Sequence, residues 1–255
     1  MKTKNFSISH TFHKYPNIFV ITSIIILTIF IRLFVYHNGQ PTCSNYIINT
    51  YLYLALAGLI SALTIINNKP SKIDNTSFLL TFISIIILIF IFVFIPPKNL
   101  IASHFVWLLL IVGLSFFISL FVRSHATNTI TRALLSMALV FIITSAIGFL
   151  FFDKLKKVSH ILGLGLLIAL ISIICFEIIY RFITKSYPTK KQMIINIIVI
   201  FVFSLFIIYD TVEMKKNSLT CNIESSVHYP NYPSESFNFF LDLINIFVRS
   251  LGLSR

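Results

Sequence analysis

Charge is what this sequence has least of: 11% of its 255 residues are Asp, Glu, Lys or Arg, and only eight are acidic. Soluble domains carry roughly 25% charged residues, so an ordinary soluble globule is excluded. Gly (7) and Pro (8) are sparse, and no stretch fits a soluble domain or a solenoid-type repeat. Three cysteines, Cys43, Cys175 and Cys221, are too few for a disulfide framework. There is no HExxH, no P-loop, no Cys–His zinc spacing and no nucleophile motif, so the chain reads as a non-enzyme without a cofactor. The seven histidines are scattered, and His104 and His160 sit at the starts of apolar blocks, where they read as interfacial.

What is there is apolar and comes in long runs. Hydrophobic residues make up 57% of the chain, led by Ile and by 27 Phe. A helix rises ~1.5 Å per residue, so about 20 apolar residues cross a ~30 Å hydrocarbon core. Several blocks reach that length. Backbone groups in lipid must be satisfied internally, by helices or a closed barrel. Barrel strands alternate apolar and polar residues, and runs such as Ser84 to Ile95 do not. The fold class is therefore an all-α membrane bundle, with the lipid bilayer as its first partner. The net charge of +12 does not signal nucleic acid. Its lysines and arginines sit in short loops between apolar blocks, where they meet lipid phosphates and set orientation.

Eight blocks are expected, at about 18–36, 51–66, 78–95, 101–122, 129–152, 158–183, 193–209 and 237–253. A basic tail, residues 1–17, precedes them. The first block reads as a retained anchor, since it is long for a signal peptide and no small-x-small site follows. Residues 18–50 thus form an extra hydrophobic segment and loop, and 51–255 the main transmembrane domain. With a cytoplasmic N-terminus, the basic residues favour the cytoplasmic side, although Lys154, Lys156 and Lys157 fall opposite. On that topology Cys43 and Cys221 share a side, where an oxidising compartment would permit a disulfide without requiring one.

With eight acidic residues, each can be weighed. Asp74, Asp153, Glu224 and Glu235 read as solvated loop charges, and Glu213 as interfacial beside Lys215 and Lys216. Glu177 reads as a snorkelling partner of Arg181, four residues on. Asp210, closing the seventh block, and Asp242, inside the eighth, differ. A carboxylate at membrane depth is a functional-site hypothesis by default. Asn238, Asp242, Asn245 and Arg249 recur at spacings of four, three and four, one face of a helix expected to point inward. The last block should therefore be central. Arg132, Ser136, Thr144 and Gly148 make a weaker stripe on block five, whose plainer reading is close helix packing.

Tyr209-Asp210-Thr211 and Phe239-Phe240-Leu241-Asp242-Leu243-Ile244-Asn245-Ile246-Phe247 resemble the closing motifs of the Bax inhibitor family, the transmembrane Bax-inhibitor-motif proteins. Weaker likenesses run in order from Tyr51-Leu52-Tyr53-Leu54-Ala55-Leu56 through Gly113-Leu114-Ser115, Arg132-Ala133-Leu134-Leu135-Ser136 and Ser159-His160-Ile161-Leu162-Gly163. The resemblance implies a seven-helix bundle with a central last helix and a facing pair of aspartates, Asp210 and Asp242. It further implies a pH-sensitive calcium leak and suppression of cell death, with Ca²⁺ and membrane proteins of cell-death control as partners. The membrane would be internal, such as endoplasmic reticulum or Golgi, in a eukaryotic or viral setting, and the plasma membrane in a bacterium. Two carboxylates a hydrogen bond apart share a proton and titrate as a pair with one raised pKa. Their oxygens suit Ca²⁺ as a permeant ion.

Departures are plain. Block one precedes the family's first helix. With the family's orientation it would leave Lys2, Lys4 and Lys14 outside, against the positive-inside rule. Val112 stands where Glu is frequent, and block three has no arginine for the family's latch, so Arg132 becomes the substitute candidate. Arg249 lies three positions before the family's usual arginine. Two other readings stay open: a membrane interaction protein suppressing cell death without transport, and an intramembrane aspartyl protease. The second has Tyr209-Asp210 in its favour, but no Gly-x-Gly-Asp at Asp242 and no Pro-Ala-Leu.

Overall fold

The computed structural model describes residues 16–68, 75–122, 125–184, 189–226 and 228–253. Lys2, Lys4, Lys14, Lys69, Lys72, Asp74, Arg123 and Lys185 lie outside them, as do the side chains of Arg181 and Lys190. The chain folds as α1 (Pro16–Phe34), a hairpin of β1 (Tyr36–His37) and β2 (Gln40–Pro41), then α2 (Tyr46–Asn67), α3 (Asn75–Phe94), α4 (Leu100–Val122) and α5 (Thr127–Leu150). A four-residue α6 (Phe152–Leu155) follows, then α7 (Ser159–Thr184), α8 (Thr189–Thr220) and α9 (Tyr232–Leu253).

Seven of these helices are long and apolar enough to cross a membrane; in α3 the apolar stretch is the shorter Leu79–Phe94. The outside of the bundle is oily: Ile101 is 86% exposed, Phe94 80% and Ile161 73%. Such a surface is incompatible with water and suited to lipid. The all-α membrane bundle expected from composition is the fold observed.

The last helix is central. Half of the α9 span is buried, against 11% of the α1 and α7 spans. α9 packs on α8, α2, α5 and α4. It meets α3 through Phe92 and Phe237, whose rings stand 5.4 Å apart, and α7 through an ion pair. The buried arc of α9 is aromatic and aliphatic: Phe237, Phe239, Phe240, Ile246 and Phe247. The polar stripe runs along the border of that arc. At ~100° per residue its four members span about 60°, so they do share a face, but one turned to α8 and α7. Asp242 is buried, Asn245 and Arg249 are half-buried, and Asn238 is exposed. The expectation that all four face inward is corrected at Asn238, which falls outside the arc.

Block limits also change. α8 continues to Thr220, so Asp210 sits inside a 32-residue helix rather than closing it. α9 begins at Tyr232 and takes in Glu235, which is half-buried in its first turn and not a solvated loop charge. The connection is residues 221–231. Apolar periodicity ends near residue 209, but helix continues through Thr211–Thr220 because Val212 and Met214 still bury fully. Between α1 and α2, Asn38 (φ 49) and Gly39 (φ 80) form the tip of the hairpin, the Asn-Gly pairing that a two-residue turn with two positive φ angles favours. Cys43 and Cys221 are joined by a disulfide, with Cα atoms 5.7 Å apart.

Candidate functional site

Helices α8 and α9 are antiparallel neighbours. Asp210 lies ten residues before the end of α8 and Asp242 ten residues after the start of α9. Each is thus ~15 Å from the connection, and the two are level. Asn217 and Glu235 confirm the register: each stands seven residues nearer the connection, and Asn217 Nδ2 donates to Glu235 Oε1 at 2.7 Å. The carboxyls of Asp210 and Asp242 stand near enough that each bears on the ionisation of the other. Asp242 is buried and Asp210 half-buried. Asp242 Oδ2 is buried without a hydrogen-bond partner, as are Tyr51 OH and Ser145 Oγ. Tyr51 packs its ring between Phe141 and Phe239, 5.9 Å from each, and points its hydroxyl toward Ser145 and Thr211, beside Asp210. Polar groups from α2, α5, α8 and α9 therefore converge near Asp210 inside the bundle.

Close packing fixes this depth. A Cβ added to Gly148 would come within 2.8 Å of Thr211 Cβ, and one added to Gly163 within 2.7 Å of the Tyr209 ring. The two glycines let α5 and α7 approach α8 on either side of Asp210. That matches the packing reading of the α5 stripe at Gly148. Arg132, at the other end of the stripe, is exposed and does not reach the pair. Each i+4 step overshoots a full turn by ~40°, so over four turns the stripe swings to the opposite side of the helix. Ala133 takes the buried position instead.

Of the other expected residues, Asn245 Nδ2 donates to Leu241 O on its own helix at 2.8 Å. Arg249 holds Glu177 in two bonds, NH1 to Oε1 at 2.6 Å and NH2 to Oε2 at 2.9 Å, and reaches Asn196 Oδ1 at 3.3 Å. Glu177 thus clamps α7 to α9, a partner the sequence did not suggest. Glu213 pairs with Lys216 at 3.2 Å. Glu235 also accepts from Tyr46 OH at 3.1 Å. The spacing that places Asn217 and Glu235 two turns from the aspartates is visible in the sequence and was the signal for them. A further cluster joins β1, α2 and α4: Tyr36 OH and Tyr53 OH lie 2.8 and 2.7 Å from His104 Nε2 and 2.7 Å from each other. His104 is therefore held inside a hydrogen-bonded triangle.

Among the described residues no group of three or more His, Cys, Asp or Glu is placed to hold a metal ion. Asp210 and Asp242 offer two carboxylates, short of the six to eight oxygens that a resident Ca²⁺ takes; they suit contact with a passing ion.

The fold and this site define a multi-pass helical membrane protein organised around a buried, carboxylate-bearing last helix. The family described as "Inhibitor of apoptosis-promoting Bax1" matches residues 43–253. The chain belongs to that family, the Bax inhibitor family, and is an integral membrane protein of a group of cell-death suppressors. A direct comparison with curated protein sequences finds no match.

Proposed function

We propose that the protein is a pH-sensitive cation leak, Ca²⁺ among its ions, that lowers a calcium store and thereby restrains cell death. What supports this reading is the register of α8 against α9, which brings Asp210 and Asp242 level in the bundle. Two such carboxyls share a proton, because ionising both in a low dielectric is costly. Losing that proton leaves two like charges across the α8–α9 interface. They either part the helices or recruit a cation to neutralise them. Tyr51 and Ser145 add buried hydroxyls near Asp210, suited to carrying water or a partly dehydrated ion past it.

The test is Ca²⁺ efflux from vesicles holding the purified protein, followed against pH. Asp242→Asn keeps the shape and removes the titration, so the pH dependence should vanish, and Asp210→Asn should do much the same. Two single variants that both keep the wild-type pH response would refute the gating pair. A protein with no flux at any pH would return the reading to a membrane interaction protein that acts by binding other membrane proteins of cell-death control.

A further inference from the structure

The segment from β1 to the start of α2 lies across the same end of the bundle as the α8–α9 connection, and it is fastened there. Tyr229 OH donates to Gln40 Oε1 at 2.5 Å. Tyr232 OH donates to Thr42 O and itself accepts from Asn49 Nδ2 at 3.2 Å. Tyr46 OH reaches Glu235 at 3.1 Å. Thr42 N bonds Val35 O at 2.9 Å, tying the segment back to the end of α1. The disulfide from Cys43 to Cys221 closes the arrangement covalently. Family resemblance begins at residue 43, so the hairpin and α1 precede the shared fold.

The mechanical consequence follows from what each anchor belongs to. Cys221 directly follows α8 and Tyr232 begins α9, the two helices that carry Asp210 and Asp242. Any parting of α8 from α9 at this end drags one anchor against the other. A hairpin of two-residue strands has no stability of its own, so the covalent bond is what holds the strap in place. Both cysteines are half-buried and within reach of a reagent.

We propose that residues 36–45 form a redox-fastened strap over this mouth of the bundle, and that opening the Cys43–Cys221 bond releases α8 and α9 and raises the leak. This rests on the transport reading above. The co-reactant is a dithiol reductant in the compartment that this end faces. One of its thiolates attacks a cysteine sulfur and the S–S bond breaks. The other cysteine leaves as a thiolate and takes up a proton. The reductant's second thiol then displaces the first cysteine. Two electrons pass, two cysteine thiols form and the reductant ends as a disulfide.

The experiment uses full-length protein with Cys175→Ser, to remove the exposed free thiol, in vesicles before and after treatment with dithiothreitol. Hydrogen exchange of residues 36–45 and 221–231 is read alongside Ca²⁺ efflux at fixed pH. Reduction should raise exchange in both segments and raise efflux severalfold, and reoxidation should reverse both. Cys43→Ser should behave as the reduced form without reductant. Unchanged exchange on reduction overturns the strap. Faster exchange with unchanged efflux overturns its control of the leak. Absence of efflux from oxidised and reduced protein alike sinks the transport reading and this control with it, and the exchange data tell that failure from the first.

Discussion

Breaking the Arg249–Glu177 pair should loosen α7 from the bundle and cost about 2 kcal/mol. The guanidinium meets the carboxylate in a two-bond fork at 2.6 and 2.9 Å. The side chains are 24% and 23% exposed. Removing one partner of a fully buried pair costs about 3–5 kcal/mol, because a charge is left unpaired, whereas exposed pairs contribute about 0–1 kcal/mol. A pair three-quarters buried falls between. Arg249→Gln removes both bonds of the fork and the contact with Asn196 together. Glu177→Gln leaves Arg249 with Asn196 Oδ1 at 3.3 Å and should cost less. Arg249→Lys should not restore the loss, since an ammonium cannot make the planar fork. The assay is a double-variant cycle on unfolding in detergent, with Arg249→Gln, Glu177→Gln and both together. The double variant should be less damaging than the sum of the singles by about 1–2 kcal/mol. Additivity within about 0.5 kcal/mol would show that the contact carries no coupling and refute the clamp.

Two further outcomes follow from the same coordinates. Gly163→Ala and Gly148→Ala should each lower the thermal midpoint, by about 1–3 kcal/mol in stability, because the new Cβ would stand 2.7 Å from the Tyr209 ring or 2.8 Å from Thr211 Cβ. Gly165→Ala, with nothing within 4 Å, should be neutral or stabilising; equal losses at all three would refute the packing argument. Burial pushes the Tyr36 hydroxyl above its ordinary range. The folded chain therefore keeps a proton that the unfolded chain loses near pH ~10. Stability from this group is intact below that pH and falls as pH rises past it. Tyr36→Phe should flatten the alkaline limb of the unfolding curve, and an unchanged limb would refute it.

Architecture was legible because lipid leaves so few solutions for an apolar chain: run length alone located the spans, and the polar positions in 237–253 marked α9 as special. The sense of that mark was misread. Asn238, Asp242, Asn245 and Arg249 border the core, and the aromatic face fills it, because the rings supply the volume that central packing needs while the polar groups need partners on α8 and α7. Helix ends were illegible for a related reason. Hydropathy falls at Asp210, yet the backbone continues as helix wherever neighbours still cover it, as at Val212 and Met214. Arg132, the substitute candidate for the family's latch arginine, is exposed, because over the four turns to Gly148 the α5 stripe drifts to the opposite side of the helix. Glu235 reads as a loop charge because two prolines precede it, although Tyr232 and Pro233 already open the helix. The Glu177–Arg249 pair joins residues 72 apart, and no local pattern encodes such a meeting.

Orientation brings two unrelated forces to one answer. With each long helix crossing once, Cys43 and Cys221 lie at one end of the bundle and the end of α9 at the other. Disulfides persist on oxidising sides of membranes, so the bond favours the orientation with the Arg249 end on the reducing side. Insertion charge bias is independent of that chemistry. Read from the sequence alone, single crossings put more of the Lys and Arg toward the Arg249 end, as a cytoplasmic side there would require. The lysines on the other side have local partners there: Lys156 with Asp153 at 2.6 Å, Lys216 with Glu213 at 3.2 Å, Lys98 with the Glu224 carbonyl at 2.9 Å, and Lys215 over the Phe152 ring at 4.4 Å. These four lysines therefore belong to the structure of the end where the strap and the α8–α9 connection meet.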